Sequence, residues 1–181
     1  TLIESLQKKN SQQIESLEKE IKLNREEQDQ HTQEIERLDQ EIEKALASIS
    51  DEKDVETKIK KYETAKSKLE RELSNLKKNI NFFHDHDSCP MCNSEITHEM
   101  KESETKKASG TLEQLKEAIV DLEKIEQKQV DRSNEIADVR KIVRQLSDDR
   151  IRENTSRKNA VKAGEKLERK LSEARAEDTT D

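Results

Sequence analysis

Apolar residues in this chain recur at alternating spacings of three and four. From Ile14 a seven-residue repeat carries Ile14, Leu17 and Ile21, and then Ile35, Leu38, Ile42, Ala45 and Ile49. The same frame places Asn24, Gln28 and His31 on the inward stripe, so a polar stretch interrupts it; His31 reads there as a partly hydrated core residue. A second frame runs from Val55 through Ile59, Tyr62, Leu69, Leu73, Leu76 and Ile80 to Phe83, with Lys66 as its one polar member. Further on, Ala108, Leu112, Leu115, Ile119 and Leu122 repeat in the same way. Ile136, Val139, Val143, Leu146, Ala160, Leu167, Leu171 and Ala174 follow. A 3-4 spacing held over this many heptads is the seam of a coiled coil, because it keeps one stripe of each helix facing a partner.

The pattern stops between Phe83 and Thr97. That interval holds the only proline, Pro90, and both cysteines, Cys89 and Cys92. Proline lacks an N–H and clashes with the preceding turn, so no helix interior includes Pro90. Thr97, with Glu99 just after it, reads as a helix N-cap followed by an acid in the first turn. The chain has 88 residues before Cys89 and 89 after Cys92. Two equal arms around a turn predict an antiparallel hairpin, each arm on the order of 130 Å at about 1.5 Å per residue. The expected organisation is an ascending helix over 1–86, an apex over 87–96, a descending helix over 97–177 and a frayed tail over 178–181.

Each arm also slips phase. The first steps Ile49, Glu52, Val55 and the second Ser133, Ile136, Val139, three-and-three in place of three-and-four. Such a slip overwinds the coil or breaks it. Joints that let the arms bend are expected near 49–55 and near 131–139. Ser50-Asp51-Glu52 has the character of a fresh helix cap, and Asp131–Asn134 has similar turn-like character. Gly110 is a second soft spot, and Thr111 with Gln114 offers a capping box beside it.

Composition supports the helical reading. The chain is 43% charged, 29% hydrophobic and 2% aromatic, too little apolar surface for an ordinary globular domain of 181 residues. Disorder shares this composition, but a disordered chain has no reason to hold a heptad seam. Two glycines and one proline exclude a catalytic α/β fold with its many turns. They also exclude a phosphate-cradling glycine loop, and no G-x-x-x-x-G-K-[ST] occurs, so the segment is expected to be non-catalytic. No apolar run is long enough to span a membrane. The chain opens on Thr1 and is expected to be a fragment or a processed piece.

Candidate chemistry sits in Cys89-Pro90-Met91-Cys92. Two thiols at this spacing bind one metal as a pair or close a redox disulfide. Zinc takes four tetrahedral ligands, and the pair supplies two. The rest come from His84, His86 or His98 of the same chain, or from an identical cysteine pair on a second chain. The second source is favoured, because an apex so far from the open end of a hairpin has little to touch except another apex. A metal-free structural spacer and a redox pair are the remaining readings. Phe83 continues the seam, whereas Phe82 points elsewhere and is a candidate anchor across an apex–apex contact.

Cys89-Pro90-x-Cys92, followed after a short gap by Ile96-Thr97-His98-Glu99, resembles the zinc-hook segment of the double-strand-break repair ATPases of the SbcC and Rad-fifty type. Those ATPases are similar to the chromosome-maintenance (SMC) ATPases. The resemblance spans the chain in architecture but about ten residues in motif. It implies that Cys89 and Cys92 are zinc ligands, and that the cysteine pairs of two protomers share one Zn2+ and make a homodimer. The expected hook interface around them includes Phe82, Phe83, Pro90, Met91 and Asn93. ATPase heads at the open end, outside this segment, would work with a nuclease subunit on DNA. Many members carry glycine after the second cysteine; Asn93 stands there in this chain, and asparagine tolerates the left-handed backbone better than most residues. Arms this short resemble the bacteriophage recombination-nuclease members more than the cellular ones.

Charge and thiols bear on partners and compartment. The formal net charge is −7, with Lys and Arg interleaved among Glu as at the flanks of a coiled coil. An acidic chain without a basic block repels phosphates, so no direct DNA binding by this segment is expected. Two thiols poised for metal suit a reducing compartment, the cytoplasm, or the nucleus in a eukaryote.

Overall fold

The computed structural model describes residues 1–178. Among them there is no β-strand; three helices carry the chain, α1 (Leu2–Ser48), α2 (Glu52–Asp85) and α3 (His98–Asp178). Of the tail expected over 178–181, Asp178 is the last residue of α3 and 179–181 lie outside the described residues. None of these helices is long and apolar enough to cross a membrane. Contacts divide the chain into two units, Thr1–Ile49 with Val139–Asp181, and Ser50–Asp138.

The first arm breaks where its repeat slips. α1 ends at Ser48, a turn covers residues 49–51, and α2 begins at Glu52. Asp51 occupies the N-cap position of α2 but makes no side-chain cap bond. Its carboxylate is taken instead by Arg132, which donates from Nε to Oδ2 at 3.0 Å and from Nη2 to Oδ1 at 2.9 Å. On the second arm the expectation of a turn at Asp131–Asn134 is corrected: α3 passes through 131–139 as uninterrupted helix. No glycine or proline stands there, and Ile136, only 4% exposed, takes up the seam again within one turn of Ser133. A one-residue offset shifts which side chains face inward without obliging the backbone to stop. Gly110 likewise lies inside α3, and the Thr111 hydroxyl donates to Lys107 O instead of capping a new helix.

In the first unit, α1 runs antiparallel to the last part of α3. Asn10 Nδ2 donates to Ala174 O, Asn24 Nδ2 donates to Ala160 O, and His31 lies against Glu153, so one number rises as the other falls. Leu17, Ile21 and Leu38 are buried on α1, and Ala160 and Ala174 on α3. Between the apolar layers lies the polar stretch. Asn24 is buried; its amide donates at 2.8 Å to Ala160 O and its Oδ1 accepts from Gln28 Nε2 at 2.6 Å. His31 Nδ1 is 2.6 Å from Glu153 Oε2. Gly164 makes this layer possible, because a Cβ there would run into Asn24 Oδ1 and come within 3.0 Å of Gln28 Nε2. A polar group at one inward position fixes register at some cost in stability.

Charge also sorts these two helices. Residues 15–44 carry eleven acidic against five basic side chains, and residues 150–175 nine basic against four acidic. Arg175 pairs with Glu18 at 2.7 Å, and Arg150 pairs with Asp39. Arg25 with Glu168 runs the other way, at 3.0 Å. Exposed pairs are individually weak, but a bias of opposite sign along facing helices disfavours pairing either helix with its own copy.

In the second unit, α2 runs antiparallel to the first part of α3. Val55 and Ile136 are buried, while the seam residues between them are mostly half-buried, as befits a two-helix contact. Lys66, the polar seam residue, lays its stem inward and reaches Glu123 at 3.2 Å and Glu126 at 3.9 Å.

Two substitutions separate helix propensity from packing. A Cβ added at Gly110 would meet nothing within 4 Å, so Gly110→Ala is expected to stabilise by about 1 kcal/mol in urea unfolding. Gly164→Ala gains the same propensity but displaces the Asn24 amide, and its unfolding midpoint is expected to fall. An Asn24→Ala change in that background should restore part of the loss. The Arg132 bonds, then the Asp51 backbone and the arginine charge, hold the Asp51 carboxyl below its ordinary 3.8. A lowered folded-state titration means that this pair stabilises above the ordinary value and stops doing so as the pH falls through the lowered one. Arg132→Ala should therefore lower the thermal midpoint at pH 7, and the deficit should shrink below pH 3.8.

Candidate functional site

The connection between α2 and α3 lies within the second unit and carries both cysteines. α2 ends where His86 turns to extended backbone, at φ −121° and ψ 131°. Ser88 and Glu95 then face each other in a single antiparallel bridge. Ile96 N donates to Asp87 O at 2.8 Å and Cys89 N donates to Ser94 O at 2.9 Å, which ties the two sides together. Asn93 N donates back to Cys89 O at 2.7 Å and closes the turn that Pro90 begins. This closure needs a left-handed residue, and Asn93 supplies it at φ 56°.

The base of the connection is pinned twice. Ile96 is 9% exposed, the buried plug of an otherwise open segment. Lys101 Nζ reaches Asp87 Oδ1 at 2.5 Å, and that bond, with the lysine charge, holds the Asp87 carboxyl below the usual range. Thr97 Oγ1 accepts from Met100 N at 3.2 Å, the N-cap that the sequence predicts for α3.

The two thiols are free and unequal, Cys89 half-buried and Cys92 exposed. The Ser94 hydroxyl lies 3.2 Å from Cys92 Sγ. That hydroxyl, then the Ser94 main chain and the Cys89 thiol, hold the Cys92 thiol below its ordinary range, each by hydrogen bonding that favours negative sulfur. The site thus presents a thiol pair on a closed turn, one sulfur open to solvent.

The histidines are elsewhere. His84 and His98 are exposed and lie nearest their own carboxylates, His84 Nδ1 at 3.2 Å from Asp85 and His98 Nε2 at 3.9 Å from Glu102. His86 Nδ1 is 3.0 Å from Phe82 O, and its ring stacks on Phe82 at 4.6 Å. Among the described residues, no three or more His, Cys, Asp or Glu side chains gather as a metal-holding group. Phe82 is half-buried, covered by His86 and set edge-on to Phe83 at 5.5 Å, so it is less bare than the sequence suggests. Pro90 and Asn93 are exposed, and Met91 is 93% exposed.

Three contributors escape a reading for metal ligands: Ser94, Ile96 and the Asp87–Lys101 pair. Only Ile96 leaves a local signal, an apolar residue directly before an N-cap. Ser94 and Lys101 matter through contacts that the turn itself creates.

No family model, curated protein or solved structure matches the chain.

The left-handed residue gives a direct test of the turn. Asn93→Gly should keep the unfolding midpoint, whereas Asn93→Val should cost about 1–2 kcal/mol by urea denaturation.

Proposed function

We propose that this chain is a zinc-dependent dimerisation and tethering module, a coiled-coil hairpin whose apical connections meet in pairs and share one zinc through Cys89 and Cys92 of each protomer. One observation carries the reading: a thiol pair, Cys92 exposed and Cys89 half-buried, sits on a closed turn, and no third ligand of the chain gathers around it among the described residues. Zinc in structural sites asks for four ligands. The donor set fits half of such a site, since two cysteines at C-x-x-C are common zinc ligands and the Ser94 contacts favour the charged sulfur that metal requires. A second copy of the same turn supplies the other half.

Metal bonding then supplies most of the association. The connection is small, and apolar contact through Phe83, Pro90 and Met91 alone would hold two copies weakly. Structural zinc sites reach about 10–16 kcal/mol in favourable cases. Asn93 shapes the turn, and Phe82 stacks on His86 where α2 ends. The motif resemblance extends the reading to the parent protein: an ATPase of double-strand-break repair or recombination, partnered with a nuclease, in a reducing compartment. In that setting DNA and the nuclease engage head domains beyond this segment, which acts as spacer and clasp.

Native mass spectrometry with and without a strong chelator tests this directly. The expected result is one zinc per two chains, with the dimer lost on chelation and on Cys89→Ser/Cys92→Ser. One zinc per solitary chain would instead assign the histidines to the site, and a dimer indifferent to both treatments would leave a plain structural coiled coil.

A further inference from the structure

We propose that Cys89 and Cys92 also form an oxidant-sensing pair: a peroxide or a small organic disulfide closes an intrachain disulfide between them, which excludes zinc and releases the two copies. The inference rests on the dimerisation reading above and assigns that site a means of control.

The geometry of one chain points to it. Cys92 is exposed, so an oxidant in solution reaches its sulfur. Ser94 Oγ lies 3.2 Å from that sulfur. Cys89 is half-buried and held on both sides of its own peptide unit, its N–H given to Ser94 O and its carbonyl accepting from Asn93 N. It is therefore fixed in the same turn, three residues from Cys92. Cys89 and Cys92 are the two cysteines of the chain, so an intrachain disulfide has one possible pairing. An exposed attacking thiol with a fixed, shielded neighbour is the arrangement of a redox pair.

The chemistry balances with peroxide as the named oxidant. The Cys92 sulfur attacks one peroxide oxygen, the O–O bond breaks, and a sulfenic acid forms as the other oxygen leaves as water. The Cys89 sulfur then attacks the sulfenic sulfur; the S–S bond forms, the S–O bond breaks, and the second water departs with the remaining thiol hydrogen. The two thiols lose two electrons and the peroxide gains them. With an organic disulfide, the same two electrons reduce it to two small thiols through a mixed disulfide. Zinc requires both sulfurs as thiolates and the disulfide uses both, so the two states exclude each other.

The test uses the full chain in two arms. In the first, reduced and metal-free protein is treated with hydrogen peroxide, quenched with an alkylating agent and weighed intact. The expected product is a single chain lighter by two hydrogens, unalkylated, and returned to the double-alkylated form by prior dithiothreitol. Sulfinic or sulfonic products without that species, or disulfide-linked chain pairs in its place, would overturn the proposal. In the second arm, zinc-loaded protein is treated in the same way while a chromophoric chelator reports free zinc and native mass spectrometry reports assembly. The dimer fraction should fall to that of chelated protein as zinc appears, and recover on reduction with zinc restored. Zinc retained by a chain that already carries the disulfide would also overturn it. If the first arm succeeds but untreated zinc-loaded protein never dimerises, the hook reading and its coupling to oxidation both fail, while the redox pair stands.

Discussion

Everything in this chain depends on a contact between two helices that is barely wide enough to bury anything. A helix in a globular core is covered from several sides, but each unit here packs one helix against one other. The result is visible in the exposures: Leu38 falls to 2%, whereas most seam residues of the second unit stay half-buried. Such a contact gives little energy per residue, and it must be won by repetition of the same stripe. That is why a chain with 29% hydrophobic residues suffices, and why 43% can be charged. It also explains why register needs its own devices. A uniform apolar stripe slides at low cost by a heptad, but a buried Asn24 that has found Ala160 O and the gap left by Gly164 does not.

The same thin contact shapes the connection between α2 and α3. No core lies beneath it, so it is held from within by backbone bonds and two small anchors, Ile96 and the Asp87–Lys101 pair. Those bonds fix where the thiols sit without enclosing them. Cys89 uses its main chain to close the turn, and Cys92 is left outward. A turn that must present two sulfurs and cannot surround them is suited to chemistry completed by something outside the chain, whether a metal shared with a copy or an oxidant in solution.

Much of this was legible in the residues. Heptad spacing gave the helices and their interruption, Pro90 gave the end of one, and Thr97 gave the start of the next. Asn93 in the left-handed region was expected only from the motif resemblance, in which glycine often follows the second cysteine. What spacing alone cannot convey is whether a phase slip breaks a helix. Two slips of the same kind had different outcomes: the chain turned at residues 49–51 and ran on as helix through 131–139. The difference lies in partners. Asp51, freed from helical geometry, is caught by Arg132, and Ile49 is buried as the chain turns. Arg132 makes that pairing from a helix that needs no break to do it. Long-range pairs of this sort leave no periodic trace, and the same holds for Ser94 against Cys92.

Sorting of charge adds a constraint that the total conceals. A net of −7 describes an acidic chain, yet α1 is rich in acids where the facing part of α3 is rich in bases. Two copies of either helix side by side would meet like charge, so the pairing within one chain is favoured over the symmetric alternatives that coiled-coil sequences otherwise allow. Helix-to-helix association between copies is thereby discouraged along the first unit. If copies meet at the thiols as proposed, adhesive long faces would remove the dependence of that assembly on the thiols. In the proposed assembly, chemistry at the thiols controls pairing only where the larger surfaces abstain.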